Sequence, residues 1–274
     1  MRLLAVAVLF LGACAPENTV LGRPYELRLP ADFDGQTPLP LLILAHGYGV
    51  NGVGQDFLFP FSKEVDSKHF IYVLPHGTQD ALGRRFWNAT EACCNFDDVP
   101  VDDVAFFRAL VEDVKAKHPV QAGHVFLAGH SNGAFMALRL ACDAPDAIDG
   151  VVAVSGSTWL DPTRCGEGRA VPMLLVHGTD DKTIPYAGRP GRYPGAVETS
   201  ERFARRAGCT GDQEELDRAD FLGSPAAETR RTRRTGCPAR ADVELWSMEG
   251  TGHIPQFDGR WTGAAIDWLT EHAR

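Results

Sequence analysis

The chain has 274 residues, of which 44% are hydrophobic and 23% charged. This excludes a disordered or collagen-like polymer and suits one α/β domain. The 27 basic and 36 acidic residues give a net charge of −9, so no nucleic-acid partner is expected. The basic cluster Arg230, Arg231, Arg233, Arg234 and Arg240 reads as a solvated strand face.

At the chain start, Met1-Arg2, the apolar run 3–11 and small residues up to Cys14 have the form of an export signal. The run is shorter than the roughly 20 residues a membrane-spanning helix needs. Leu11-Gly12-Ala13-Cys14 also resembles the bacterial lipobox, which implies a lipid on the Cys14 sulfur and a membrane anchor; simple secretion is the alternative. A short linker is expected over 15–23, with the catalytic domain from 24 to the end.

The stretch 25–29 alternates polar and apolar residues, as an edge strand does. Runs 39–45, 70–74, 124–128, 150–155, 172–176 and 243–248 are mostly apolar throughout, which predicts strands covered on both faces of a parallel sheet. Between them, 101–117 reads as a helix, with Asp102 and Asp103 in its first turn and Lys115 and Lys117 near its end, as the helix dipole favours. Further helices are expected over 132–141, 196–207 and 262–271. This alternation predicts a single-domain, doubly wound, mostly parallel α/β fold. The segment 209–240 is the least regular, and its Arg/Thr alternation from Thr229 reads as a polar edge strand.

The seven cysteines are an odd count for an exported chain. With Cys14 set aside for lipid, six remain to form disulfides in an oxidising compartment. Cys209 is expected to pair with Cys237. Cys93 and Cys94 are adjacent, so each is expected to pair elsewhere, with Cys142 and Cys165 in an unassigned order. No metal-type cysteine spacing appears, and neither a metal nor a cofactor is expected.

The chemical signal is Gly129-His130-Ser131-Asn132-Gly133, between a predicted strand and a predicted helix. That is the context of a nucleophile elbow, in which a tight turn lifts the serine hydroxyl out of the sheet edge. A serine needs a base, which in this order of elements follows an acid. The acid falls at Asp180 or Asp181, after the strand 172–176, and these residues alone do not choose between them. The base is His253, in the glycine-rich loop after the last strand. The oxyanion donors are the backbone N–H groups of Asn132 and, from the loop Ala45-His46-Gly47-Tyr48-Gly49, Tyr48. His46 reads as a brace. Trp87, Asn88 and His130 are candidates for the substrate cleft, Trp87 being equally a core residue.

Together with the Trp87-Asn88 and Cys93-Cys94 segments, Val101-Asp102-Asp103 and His177-Gly178-Thr179-Asp180-Asp181, these motifs resemble the secreted polyhydroxybutyrate depolymerases and feruloyl esterases of the α/β-hydrolase superfamily. The resemblance runs from about Arg28 to the C-terminus. It implies an α/β-hydrolase fold, a serine esterase, and Asp181 as the triad acid. Many members carry Trp-Pro shortly after the catalytic histidine; here Ile254-Pro255-Gln256-Phe257 follow, which weakens an aromatic wall. The expected substrate is a small or polymeric ester, either a hydroxyalkanoate or a feruloyl or acetyl ester of plant polysaccharide, handled by a monomer. The alternatives are a peptidase or amidase on the same scaffold, and a non-catalytic surface lipoprotein.

Overall fold

The computed structural model describes residues 18–223 and 227–272. The export segment and Cys14 lie outside the described residues. Ten strands form one sheet: β1 Thr19–Val20, β2 Arg23–Arg28, β3 Leu39–Ala45, β4 Ile71–Pro75, β5 Val120–His130, β6 Gly150–Val154, β7 Met173–Gly178, β8 Gln213–Glu215, β9 Thr229–Arg234 and β10 Val243–Met248. Their spatial order is β1-β2-β4-β3-β5-β6-β7-β10-β9-β8. The six from β4 to β10 run parallel. Antiparallel strands extend both ends.

The parallel strands lie where the sequence reads as continuously apolar, because both faces are covered. Leu41, Ile43, Val151, Ala153, Met173 and Leu175 join one core with α3 (Asp103–Lys117), α4 (Asn132–Asp143) and α5 (Ala196–Ala207). The alternate residues Leu42, Leu44, Val152, Val154, Leu174 and Val176 join a second core with Phe59, Phe61 and α6 (Gly259–Glu271). Period-two alternation thus sends each strand's side chains into two apolar layers.

Helix α3 begins two residues later than expected. Asp102 is its N-cap, accepting from the Ala105 N–H at 2.9 Å. Asp103 does more than complement the helix dipole. It is buried, pairs with Arg23 at 2.6 Å, and accepts the Asn88 N–H at 2.6 Å.

Both expected sheet edges are covered. The two-residue β1, inside the expected linker 15–23, pairs with β2. Likewise β9 is flanked by β8, whose Glu214 meets Arg233 at 2.8 Å. Arg234 pairs with Glu201 on α5, so two of the strand's arginines meet acids on neighbouring elements. Two short helices not expected from the sequence, α1 (Gly52–Leu58) and α2 (Val65–Lys68), follow β3.

The disulfides correct one expectation. Cys209 pairs with Cys237 as expected. Cys142, at the end of α4, meets Cys165 in the loop after β6 with Cα atoms 5.0 Å apart. That pairing uses both of the partners expected for the adjacent cysteines. Cys93 and Cys94 are bonded to each other instead, in a turn where Thr90 and Cys93 exchange backbone hydrogen bonds.

Candidate active site

β5 ends at His130 and α4 starts at Asn132, so a single residue, Ser131, makes the turn. Its φ of 53° and ψ of −118° lie in a region that costs an ordinary residue about 1–3 kcal/mol. The surroundings hold it there: the Ser131 N–H donates to the Val154 carbonyl on β6 at 2.9 Å. A Cβ on Gly129 would stand 2.2 Å from the Gly133 carbonyl oxygen, and one on Gly133 would stand 2.0 Å from that of Ala45. Only glycine fits at either position.

The loops after β7 and β10 reach this turn. His253 Nε2 lies 3.0 Å from Ser131 Oγ, and His253 Nδ1 lies 2.8 Å from Asp181 Oδ2. The two candidate acids separate cleanly: Asp180 is exposed, whereas Asp181 is 3% exposed. Asp181 Oδ1 accepts the N–H groups of Thr183 at 2.8 Å and Ile184 at 2.9 Å. Burial opposes its charge, but hydrogen bonds from His177, His253 and Ile184 outweigh burial and hold the carboxyl well below the usual carboxylate range. Since Asp181 can only accept, the His253 ring proton sits on Nδ1. Nε2 is then free to accept from the serine hydroxyl.

The loop after β3 lies against the elbow. A Cβ on Gly47 would be 3.5 Å from Ser131 Cβ and 3.3 Å from His130 Nδ1. The loop is braced on three sides. The Gly47 N–H donates to Gln55 Oε1 at 2.9 Å. His46 accepts the Gly77 N–H on Nε2 at 2.9 Å and donates from Nδ1 to the Gly47 carbonyl. Trp87 Nε1 donates to the His46 carbonyl at 2.9 Å. Burial lowers His46 to about 3, which keeps the ring neutral and able to accept. The Tyr48 hydroxyl donates to Asp80 at 2.6 Å, and Phe96 packs edge-on against its ring. Asn132 opens α4, so its N–H is among those a helix leaves without an internal partner.

The three cleft candidates all make contacts within the fold. Trp87 is fully buried against Phe106 and Phe107. The Asn88 side chain donates from Nδ2 to the Val101 carbonyl at 3.0 Å, while its backbone N–H donates to Asp103 and its carbonyl accepts from Arg139. His130 is buried edge-on to Phe59, with Nε2 3.0 Å from the His253 carbonyl oxygen, and burial lowers it to about 4. Aromatic and amide residues beside a serine loop suggest a cleft in sequence; here Trp87 and His130 are buried against the loops and Asn88 is half-buried. Two further buried side chains brace the site: Gln55, on the unexpected helix α1, and His177, which touches Asp181. The four-residue spacing from His177 to Asp181 was the available sign of the second.

The sequence model of the family described as Phospholipase/Carboxylesterase matches residues 97–192. An acetyl xylan esterase from Aspergillus awamori superposes with a TM-score of 0.67, at 15% identity, over 90% of this chain and 94% of its own. The chain has the α/β-hydrolase fold. The chain is also similar to a putative esterase, NocK, from Nocardia uniformis subsp. tsuyamanensis, at 27% identity over 87% of this chain and 73% of the relative. It is 25% identical to feruloyl esterase B from Piromyces equi over 87% of this chain, spanning 44% of that relative's length. In sequence and in fold the chain is thus similar to esterases.

Proposed function

We propose that the chain is a serine carboxylester hydrolase with Ser131, His253 and Asp181 as its triad. Ser131 Oγ attacks the ester carbonyl while His253 Nε2 takes its proton. Asp181 holds the resulting imidazolium through Nδ1. The N–H groups of Tyr48 and Asn132 take the oxyanion. The collapsing intermediate expels the alcohol, which receives the proton from His253. Water then attacks the acyl-serine by the same steps and releases the acid. The sequence needs no cofactor.

The observation that carries this reading is the continuous chain of contacts from Ser131 Oγ through His253 to Asp181, at 3.0 and 2.8 Å. Feruloyl or acetyl esters of plant polysaccharide, or hydroxyalkanoate oligomers, are the proposed substrates. The named activities of the relatives support the first group. The exposed apolar residues Phe96 and Ile254 near Tyr48 and His253 support an uncharged acyl group. Three disulfides among the described residues support export, and the lipobox-like Leu11-Gly12-Ala13-Cys14 supports a lipid anchor on Cys14.

The test is hydrolysis of p-nitrophenyl butyrate by the wild type and Ser131→Ala, followed by kcat/KM for methyl ferulate, acetylated xylan and hydroxybutyrate oligomers. The expected result is loss of turnover in the variant. Equal activity of the two proteins would refute the assignment, and cleavage of peptides in preference to all esters would move it to an amidase.

A further inference from the structure

Asp181 Oδ2 has a second neighbour that the proposed triad does not use. His177 Nε2 lies 3.3 Å from this oxygen and 2.8 Å from the Ile184 carbonyl oxygen. His177 Nδ1 is buried with no hydrogen-bond partner among the described residues. Two acceptors face one nitrogen and none faces the other, so the ring proton sits on Nε2, directed to the Ile184 carbonyl with the carboxylate as its longer second neighbour.

The ring is held firmly. His177 lies on β7, in register with Ser247 of β10. Tyr186 packs edge-on against the imidazole at 5.6 Å, and the Tyr186 hydroxyl is 2.7 Å from Ser247 Oγ. His253, by contrast, stands in a loop. Both ion-pair partners of Asp181 within 4.0 Å are histidines, one on the sheet and one on that loop. The other groups facing the cluster are Ser131 and His130 beside His253, and Tyr193, which feels the Asp181 charge.

We propose that His177 is a positioning residue: its Nε2–H fixes Asp181 Oδ2 relative to the sheet, so that the carboxylate presents a fixed acceptor to His253. This rests on the esterase reading above. It gives His177 two effects. The first is geometric, since a carboxylate free to rotate about its terminal bond would carry His253 away from Ser131 Oγ. The second is electronic. A donor on Oδ2 draws off part of the negative charge that His253 would otherwise receive, which makes His253 a weaker base than it would be beside an unshared oxygen.

The experiment compares His177→Leu, which removes the donor, with His177→Gln, whose amide can supply one. Both are read by pH profiles of p-nitrophenyl butyrate hydrolysis and by thermal unfolding. For His177→Leu we expect kcat to fall about tenfold, with KM within about twofold. The acid limb of kcat/KM should move up by about half a pH unit as His253 gains basicity. His177→Gln should recover most of both. A limb that stays in place or moves down in His177→Leu would overturn the proposal, as would equal losses in the two variants. Labelling of Ser131 by a fluorophosphonate separates the two claims. Labelled wild type with an unaltered His177→Leu profile sinks only the positioning role; wild type that neither labels nor hydrolyses esters sinks both.

Discussion

Asp181→Asn keeps the shape of the acid and removes its charge. The wild-type oxygens each serve two donors: Thr183 and Ile184 N–H on Oδ1, and His253 and His177 on Oδ2. An amide has one oxygen, so whichever way it turns, its NH2 faces two N–H groups. Hydrogen bonds to charged groups contribute about 1.5–3 kcal/mol each. Two are lost, and relief from burying a charge offsets part of this, so we expect a net cost of about 2–3 kcal/mol. For a chain of this size that is roughly 5–10 °C in Tm. The kinetic effect is larger. If the NH2 faces His253, Nδ1 must accept, the ring proton moves to Nε2, and Ser131 loses its base. We expect kcat for p-nitrophenyl butyrate to fall by on the order of 10⁴. Asp180→Asn, at an exposed position, should stay within about twofold of wild type. An Asp181→Asn enzyme within tenfold of wild type, or an equal loss in Asp180→Asn, would refute the reasoning.

Trp87→Phe removes the donor to the His46 carbonyl and leaves a gap against Phe106 and Phe107. Urea unfolding should show a loss of about 2–3 kcal/mol, and kcat should drop severalfold as the Gly47 loop loosens. Burial lowers His46 to about 3 and His130 to about 4, from about 6.5 for an ordinary histidine. Below 6.5 the unfolded chain binds protons that these folded rings refuse. Their contribution to stability is therefore complete above that pH and is lost as pH falls towards 4 and 3, and Tm measured from pH 7 to 4 should fall steadily. His130→Gln, which keeps a polar group toward the His253 carbonyl, should make that slope shallower. Cys209 and Cys237 are 28 residues apart, so replacing both by serine should cost roughly 3–4 kcal/mol by loop entropy, read as Tm against the oxidised wild type.

The sequence revealed whatever depends on local patterning. Apolar runs such as 150–154 and 173–176 are sheet strands because both faces are covered, and Gly129 and Gly133 signal a turn that a side chain would block. Asp181 could be chosen over Asp180 only through the family resemblance; burial and four N–H donors supply the physical reason. What stayed hidden depends on residues far apart in the chain. Asp103 reads as a helix acid until Arg23, 80 residues away, is placed beside it. Helix α1 contains Gly52 and Gly54, poor helix formers, and its partners Gly47 and Leu74 come from other loops and strands. Adjacent cysteines do not say which cysteines approach in space, and the 142–165 contact is made by the ends of two different elements.

Asn132 Oδ1 accepts the Trp87 N–H at 2.7 Å, and its Nδ2 donates to the Trp87 carbonyl at 2.9 Å. A side chain is thus paired with a distant main-chain unit as one strand is with the next. The amide proton of Trp87 should therefore exchange with solvent as slowly as those of the central strands, even though it belongs to a connecting segment. The turn bearing the nucleophile and the segment ahead of α3 would open as one cooperative unit, so fluctuations at the surface of the cleft would not by themselves unlatch the serine.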